Sequence, residues 1–362
     1  MCGRQQIFKK GETFMKTKRV AVLGLVVILG LAFGVCLYAP VSVAAEKPIE
    51  LKVSHFWPET SAMHKHMVRW KEKLEADSKG RLTLRIFSSA TLLKQTLEWD
   101  GLQKGLTDIV YGVRLGSAGR EFTEKMSIFS AGATSASMGG KIANDVYNEF
   151  KEYRDEWKNV KLLWLSGAGP NGIHSSKPVR KIEDMKGLQI RTAPNAAVSI
   201  AIVKALGAAP AAMPMSETFM AIQKGTVDGA LGPYDVLKGF RLADVCPYTT
   251  NANLFVLLGH YVAMNLNAYN KLPADLKKVL DESIPWARQD SYKMYDAEDK
   301  AAVDFAKSKG HEFIELSPAE KARWMAAVKP ILDKTAAELD AKGYPGTKLK
   351  DFIAQRVAYY SK

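Results

Sequence analysis

The run Met185-Lys-Gly-Leu-Gln-Ile-Arg-Thr-Ala-Pro-Asn195 sets a guanidinium, that of Arg191, at the end of a short apolar strand. One proline later a helix is expected to begin, with Asn195 as its N-cap. A guanidinium is a planar fork that matches a carboxylate through two parallel hydrogen bonds. A helix start adds free N–H groups and the positive end of the helix dipole. Strand end, cation and helix start together describe an anion pocket. The alternative is a structural arginine paired with a carboxylate of its own chain.

Other strings of chemical interest fail on context. Gly167-Ala-Gly169-Pro-Asn-Gly172 has the letters of a dinucleotide fingerprint and follows a strand. The residues after it, Ile173-His-Ser-Ser-Lys-Pro178, cannot make the helix that must hold the pyrophosphate, and the next strand ends in Arg191 instead of an acid. Gly132 to Lys141 is similar to a phosphate loop, but Ile142 stands where a hydroxyl must hold magnesium. No serine lies in a nucleophile elbow. His64 and His66 share a helix and point about 200° apart, so with His55 they read as solvated side chains. No catalytic residue, metal or cofactor is expected. A secreted enzyme acting on a carboxylate lacks any recognisable nucleophile, metal set or paired acids.

The N-terminal region reads as an export signal. Met15 is the expected true start, followed by a basic Lys16, Lys18 and Arg19, an apolar Val20 to Leu37, and small residues Val43-Ala44-Ala45 at a cleavage site. Residues 1–45 are therefore expected to leave, with an uncleaved membrane anchor as the rival. Six cations and one anion leave with them, lowering the net charge from +13 to about +8. The remaining Lys and Arg are scattered, which suits solubility and anion attraction and not nucleic-acid binding. Cys246 then stands alone, too few for a disulfide or a metal framework. About 317 residues remain, enough for two lobes with separate cores.

Around the arginine, the periodicity predicts alternating strands and helices. Glu50–Ser54 and Arg81–Phe87 read as strands flanking an amphipathic helix over Met63–Ser78. Further strands are expected at Thr107–Tyr111, Lys161–Ser166, Leu188–Ile190, Val227–Leu231 and Tyr261–Leu266. Helices are expected over Ala196–Leu206, from a Ser216 cap to Lys224, and over 318–362. Leu272-Pro273 opens a long helical tract to about Lys309, kinked at Pro285. Leu102-Gln-Lys-Gly105-Leu-Thr-Asp-Ile109 and Ile222-Gln-Lys-Gly225-Thr-Val-Asp-Gly229 echo each other: a helix end, a glycine suited to the left-handed C′ position, then a strand. One copy per lobe is the reading.

Lys186-Gly-Leu-Gln-Ile-Arg191, Met213-Pro-Met-Ser-Glu217, Ala221-Ile-Gln-Lys-Gly225-Thr-Val-Asp-Gly229 and Asn265 before Leu272-Pro273 together resemble the solute-binding subunits of tripartite ATP-independent periplasmic (TRAP) transporters. Lys52-Val-Ser-His-Phe-Trp-Pro58 in the first half agrees. The resemblance implies an α/β fold of two lobes closing by a hinge, with a long helix crossing both. Lobe I would comprise 46–168 plus 258–296, and lobe II 169–257 plus 297–362. It implies a periplasmic protein that captures an organic anion and hands it to a small and a large integral membrane subunit. Arg191 matches the family's carboxylate-binding arginine. Asn171 aligns where the family often has a second arginine, Gly232 replaces a common asparagine, and Phe56 and Trp57 stand where some members place a polar contact. The implied ligand is a monocarboxylate with an apolar or aromatic body. Arg191 would fix its acid group, Asn171 would give a second polar point, and Phe56, Trp57 and Tyr234 would form the walls. Arg114, in the loop after the Thr107–Tyr111 strand, is a further candidate anion contact. The protein is expected to be a monomer. A binding protein serving an ATP-driven importer or a sensor receptor is the alternative.

Overall fold

A computed structural model describes residues 47–113, 120–194 and 196–362. The expected signal, Arg114 and Asn195 lie outside the described residues. In chain order the elements used below are β1 (Ile49–Ser54), α1 (Ala62–Asp77), β2 (Leu82–Phe87), α2 (Glu98–Gln103), β3 (Ile109–Val113), α3 (Ala136–Glu149), β4 (Val160–Ser166), β5 (Asn171–Ser175), β6 (Gln189–Thr192), α4 (Ala197–Ala205), β7 (Ala209–Ala212), α5 (Met215–Gln223), β8 (Gly229–Pro233), α6 (Val236–Gly239), β9 (Tyr248–Asn251), β10 (His260–Asn265), α7 (Ala274–Ser308), β11 (Glu312–Glu315), α8 (Pro318–Ala341) and α9 (Gly346–Tyr360).

The strands form two sheets, one per lobe. The first has the order β2-β1-β3-β10-β4 and the second β11-β9-β5-β8-β6-β7. Each is largely parallel, with one strand inserted antiparallel between neighbours: β10 between β3 and β4, and β5 between β8 and β9. Parallel neighbours require helical crossovers, and α1 between β1 and β2 supplies one. Its face of Met63, Met67, Trp70 and Leu74 is buried, as the periodicity predicts.

The two inserted strands are where the chain changes lobe. Residues 167–170 carry it from β4 to β5, and 252–259 bring it back from β9 to β10. These segments run beside each other and bond: Ala168 N donates to Leu257 O at 3.0 Å and Asn171 N to Phe255 O at 3.1 Å. They form a two-stranded hinge. The third crossing is α7, a single helix of 35 residues and about 50 Å. Toward its start Ser283 Oγ accepts from Trp70 Nε1 at 2.9 Å and Asp290 pairs with His66 at 2.8 Å, both in the first lobe. Toward its end Ala306 packs with Leu237, Leu242 and Cys246 in the second. Pro285 sits inside this helix without interrupting it.

The internal echo has a shared structural meaning. Gly105 and Gly225 both take positive φ, 73° and 71°, after α2 and α5. Asp108 Oδ2 accepts from Lys52 N, and Asp228 Oδ2 from Gln189 N, each at 2.8 Å. In both lobes the aspartate clamps the start of one strand to its parallel neighbour. Gly229 is required by packing, since a Cβ there would run into the carbonyl oxygen of His174 on β5.

Two expectations need correction. His55 and His66 are fully buried, not solvated. His66 lies among Met63, Met67 and Trp70 on the apolar face of α1, and its ring bonds Asp290, whose carboxyl is drawn down to about 2 by His66 and Arg69. The cap expected at Ser216 is displaced, because the helix already begins at Met215 behind Pro214.

Close backbone approach also joins α3 to the hinge and to α7. A Cβ on Gly140 would overlap the Tyr292 ring, and one on Gly167 would press on Ala136 O and Gly140 N. Gly140→Ala is therefore expected to lower stability by roughly 1–3 kcal/mol, read as a fall in Tm. An unchanged Tm would contradict this packing.

Candidate functional site

Arg191 stands on β6, bonded in register to Ala211 of β7 and Ala230 of β8. Its side chain is 3 % exposed, and Nε donates to Met213 O at 2.9 Å. That single bond orients the guanidinium and leaves its outer nitrogens free of protein carboxylates. Among the described residues it makes no ion pair, so the structural-arginine alternative has no partner to support it. Burial pushes its pKa down to about 10, which still leaves a cation at neutral pH. A buried cation without an anion costs several kcal/mol unless something negative joins it.

The guanidinium borders a cavity between the lobes of about 80 Å³. Phe56 and Trp57 line it from the first lobe, their rings stacked 4.0 Å apart. Phe240 continues the wall from the second lobe, 6.4 Å from Phe56 and nearly parallel to it. The tract after β1 therefore delivers two aromatic faces where the chain leaves the sheet.

Asn171 and Gly232 also line the cavity, on the neighbouring strands β5 and β8, where Asn171 pairs with Pro233 and Gly172 with Gly232. The Asn171 amide is oriented by donation from Nδ2 to Phe255 O at 3.2 Å. A Cβ at Gly232 would meet only Met215 and Val236 at ordinary contact distances. Space, not packing, is what glycine contributes there. Tyr234 is not part of the cavity lining. Its ring packs edge-on against His174 and Phe313, at 6.2 and 6.0 Å. The expected wall at Tyr234 is replaced by Phe240. The expected contact at Arg114 lies outside the described residues.

Among the lining residues that escape the sequence reading, three carry polar groups of note. His260 opens β10 and faces the cavity, its ring edge-on to Trp57 at 5.7 Å. Burial holds its pKa down at about 3, so the imidazole is neutral. Asp235 follows β8 and is fully enclosed, with Oδ1 unpartnered. Burial, and then Glu298, raise it to about 7. Gln95 adds a buried amide oxygen without a partner. A histidine beginning an alternating strand was the available signal for His260. For Asp235 and Gln95, which sit just outside the elements they follow or precede, there was none.

Residues 53–339 match the sequence model of DctP, the bacterial extracellular solute-binding proteins of family 7. The chain belongs to this family. A solute-binding protein of Roseobacter denitrificans is 25 % identical over 314 residues, covering 86 % of this chain and 94 % of its own. A TRAP periplasmic solute-binding protein of Desulfovibrio salexigens, solved in an open complex, is 28 % identical, with a TM-score of 0.72 and coverage of 87 % and 97 %. A marine metagenome protein described as specific for aromatic acid ligands has the same fold, with a TM-score of 0.79, 23 % identity and coverage of 87 % and 100 %. As a DctP-family member the chain is a periplasmic solute-binding component of TRAP transport, whose lobes close on a small organic acid. It is a carrier and not an enzyme.

The buried acid gives a pH test. Asp235 holds its proton more tightly in the folded state than in the unfolded chain, where its pKa is about 4. Charging it therefore costs stability progressively as pH rises from about 4 through 7, and in full above 7. Asp235→Asn is expected to raise Tm above pH 7, with the gain shrinking towards pH 4. A gain that is flat with pH would contradict the assignment.

Proposed function

We propose that this DctP-family protein captures a monocarboxylate with an apolar or aromatic body. The observation that carries the proposal is the buried guanidinium of Arg191, without an ion pair among the described residues, lining the same cavity as the Phe56–Trp57 stack. One fixed cation balances one carboxylate. The other ionisable groups in the described lining are Asp235, an acid, and His260, held neutral. A second carboxylate on the ligand would meet no further cation among the described lining residues and would lie in a cavity with Asp235, a desolvated charge without a partner there. Asn171, where the resemblance implies a second arginine in many members, offers hydrogen bonding without charge. Polyhydroxylated acids are disfavoured by the aromatic walls, which satisfy few hydroxyls.

Capture works through differential affinity. The ligand touches Arg191 and Asn171 on one lobe and Phe56 and Trp57 on the other only when the lobes are shut, so it shifts the hinge towards closure. We take the lobes as 46–168 plus 258–296 and 169–257 plus 297–362; α9 packs against α3. The closed monomer then offers a composite surface to a small and a large integral membrane subunit.

A thermal-shift panel of aromatic and aliphatic monocarboxylates, dicarboxylates and sugar acids tests this. An aromatic monocarboxylate at 100 times its Kd is expected to stabilise the protein by about 2.7 kcal/mol. Arg191→Ala should remove the shift while the ligand-free protein stays folded. Stabilisation by dicarboxylates or sugar acids alone, or a shift that survives in Arg191→Ala, would refute the proposal.

A further inference from the structure

Arg191 and Asn171 both belong to the second lobe, so the proposed ligand still lacks a polar contact from the first. The structure contains one. His260 Nδ1 lies 2.7 Å from Tyr295 Oη, and Tyr111 Oη donates to Tyr295 Oη at 2.9 Å. With its oxygen engaged by Tyr111, the Tyr295 hydroxyl has its own proton left for His260 Nδ1. A neutral imidazole that accepts at Nδ1 carries its proton on Nε2. Nothing among the described residues bonds Nε2, while the ring borders the cavity beside Trp57.

We propose that His260 presents a fixed Nε2–H donor to the cavity and that the ligand is an acid whose body carries an oxygen substituent, a hydroxyl, to receive it. This rests on the reading of the protein as a carboxylate binder and adds the ligand's second functional group. The hydroxyl is favoured over a carbonyl because the same lining holds a buried acceptor without a partner, Gln95 Oε1. A hydroxyl accepts and donates at once, so it can meet both needs. The Tyr111–Tyr295–His260 relay belongs to positioning: Tyr295 lies on α7 and Tyr111 on β3, and together they set the tautomer without touching the ligand. Because Arg191 and His260 sit on opposite lobes, one hydroxy acid joins them, and a hydroxyl in place would strengthen closure as well as affinity.

The test uses phenylacetate with its two monohydroxylated partners, mandelate and 3-hydroxyphenylacetate, titrated calorimetrically into the full protein. The wild type is expected to prefer at least one hydroxylated partner by tenfold or more. His260→Leu should erase that preference, bringing the hydroxylated and plain acids to within about threefold of each other, and His260→Gln, which keeps an N–H at nearly the same place, should retain it. Long-range proton–nitrogen NMR of the ligand-free protein should show His260 as the Nε2–H tautomer, and Tyr295→Phe should lose that tautomer bias. A Nδ1–H tautomer in the wild type overturns the proposal, as does an equal loss for both members of each pair in His260→Leu. Failure of every acid to bind the wild type would count against the carboxylate reading itself, and the tautomer would still decide the donor.

Discussion

The structure turns on a buried positive charge with no negative partner of its own. Arg191 is enclosed by the second sheet and held by one bond to a backbone oxygen, and nothing in the described chain neutralises it. Such a group is tolerable in a folded protein only where an anion arrives to complete it. The desolvation that makes the empty site costly also makes the filled one strong, because a bidentate pair in a dry cavity is worth more than one in water. The surrounding architecture positions this charge against an apolar wall and allows the wall to move.

That movement is built from three crossings. Two short segments, bonded to each other through Ala168, Asn171, Phe255 and Leu257, supply a narrow hinge with the antiparallel geometry of a ribbon. The long helix α7 spans the same gap and packs on both lobes. Glycines at 139, 140, 167 and 169 let α3, the hinge and α7 approach closely, and Gly169 leaves room for the Asp299 carboxyl. Burial and the neighbouring Asp235 hold that carboxyl well above the usual range. The hinge region thus concentrates close packing and uncompensated acids, whereas each sheet is an ordinary α/β layer.

Most of the fold was legible from local chemistry. The apolar stripe of α1, the alternation of β1 and β2, and the paired Gly–x–x–Asp ends of α2 and α5 carry their meaning in a few adjacent residues. The shared clamp made by Asp108 and Asp228 is why the same letters recur. Arg191 was legible for the same reason, as a strand end whose residue type has one strong use. The rest of the cavity depends on contacts between distant segments. Phe240 and Tyr234 are six residues apart, and nothing local says which one turns inward. His260 reads as an ordinary strand residue until Tyr111 and Tyr295 are seen beside it. His66 read as solvated because the partner that makes its burial tolerable, Asp290, is 224 residues away.

The account stands on the charge of the ligand's head group. Calorimetric titration of phenylacetate against phenylacetamide, which share shape and ring and differ in that charge, addresses it most directly. The acid should bind and the amide should bind at least a hundredfold more weakly, with the gap closing in Arg191→Met. Equal affinity for acid and amide in the wild type would contradict the central role given to Arg191.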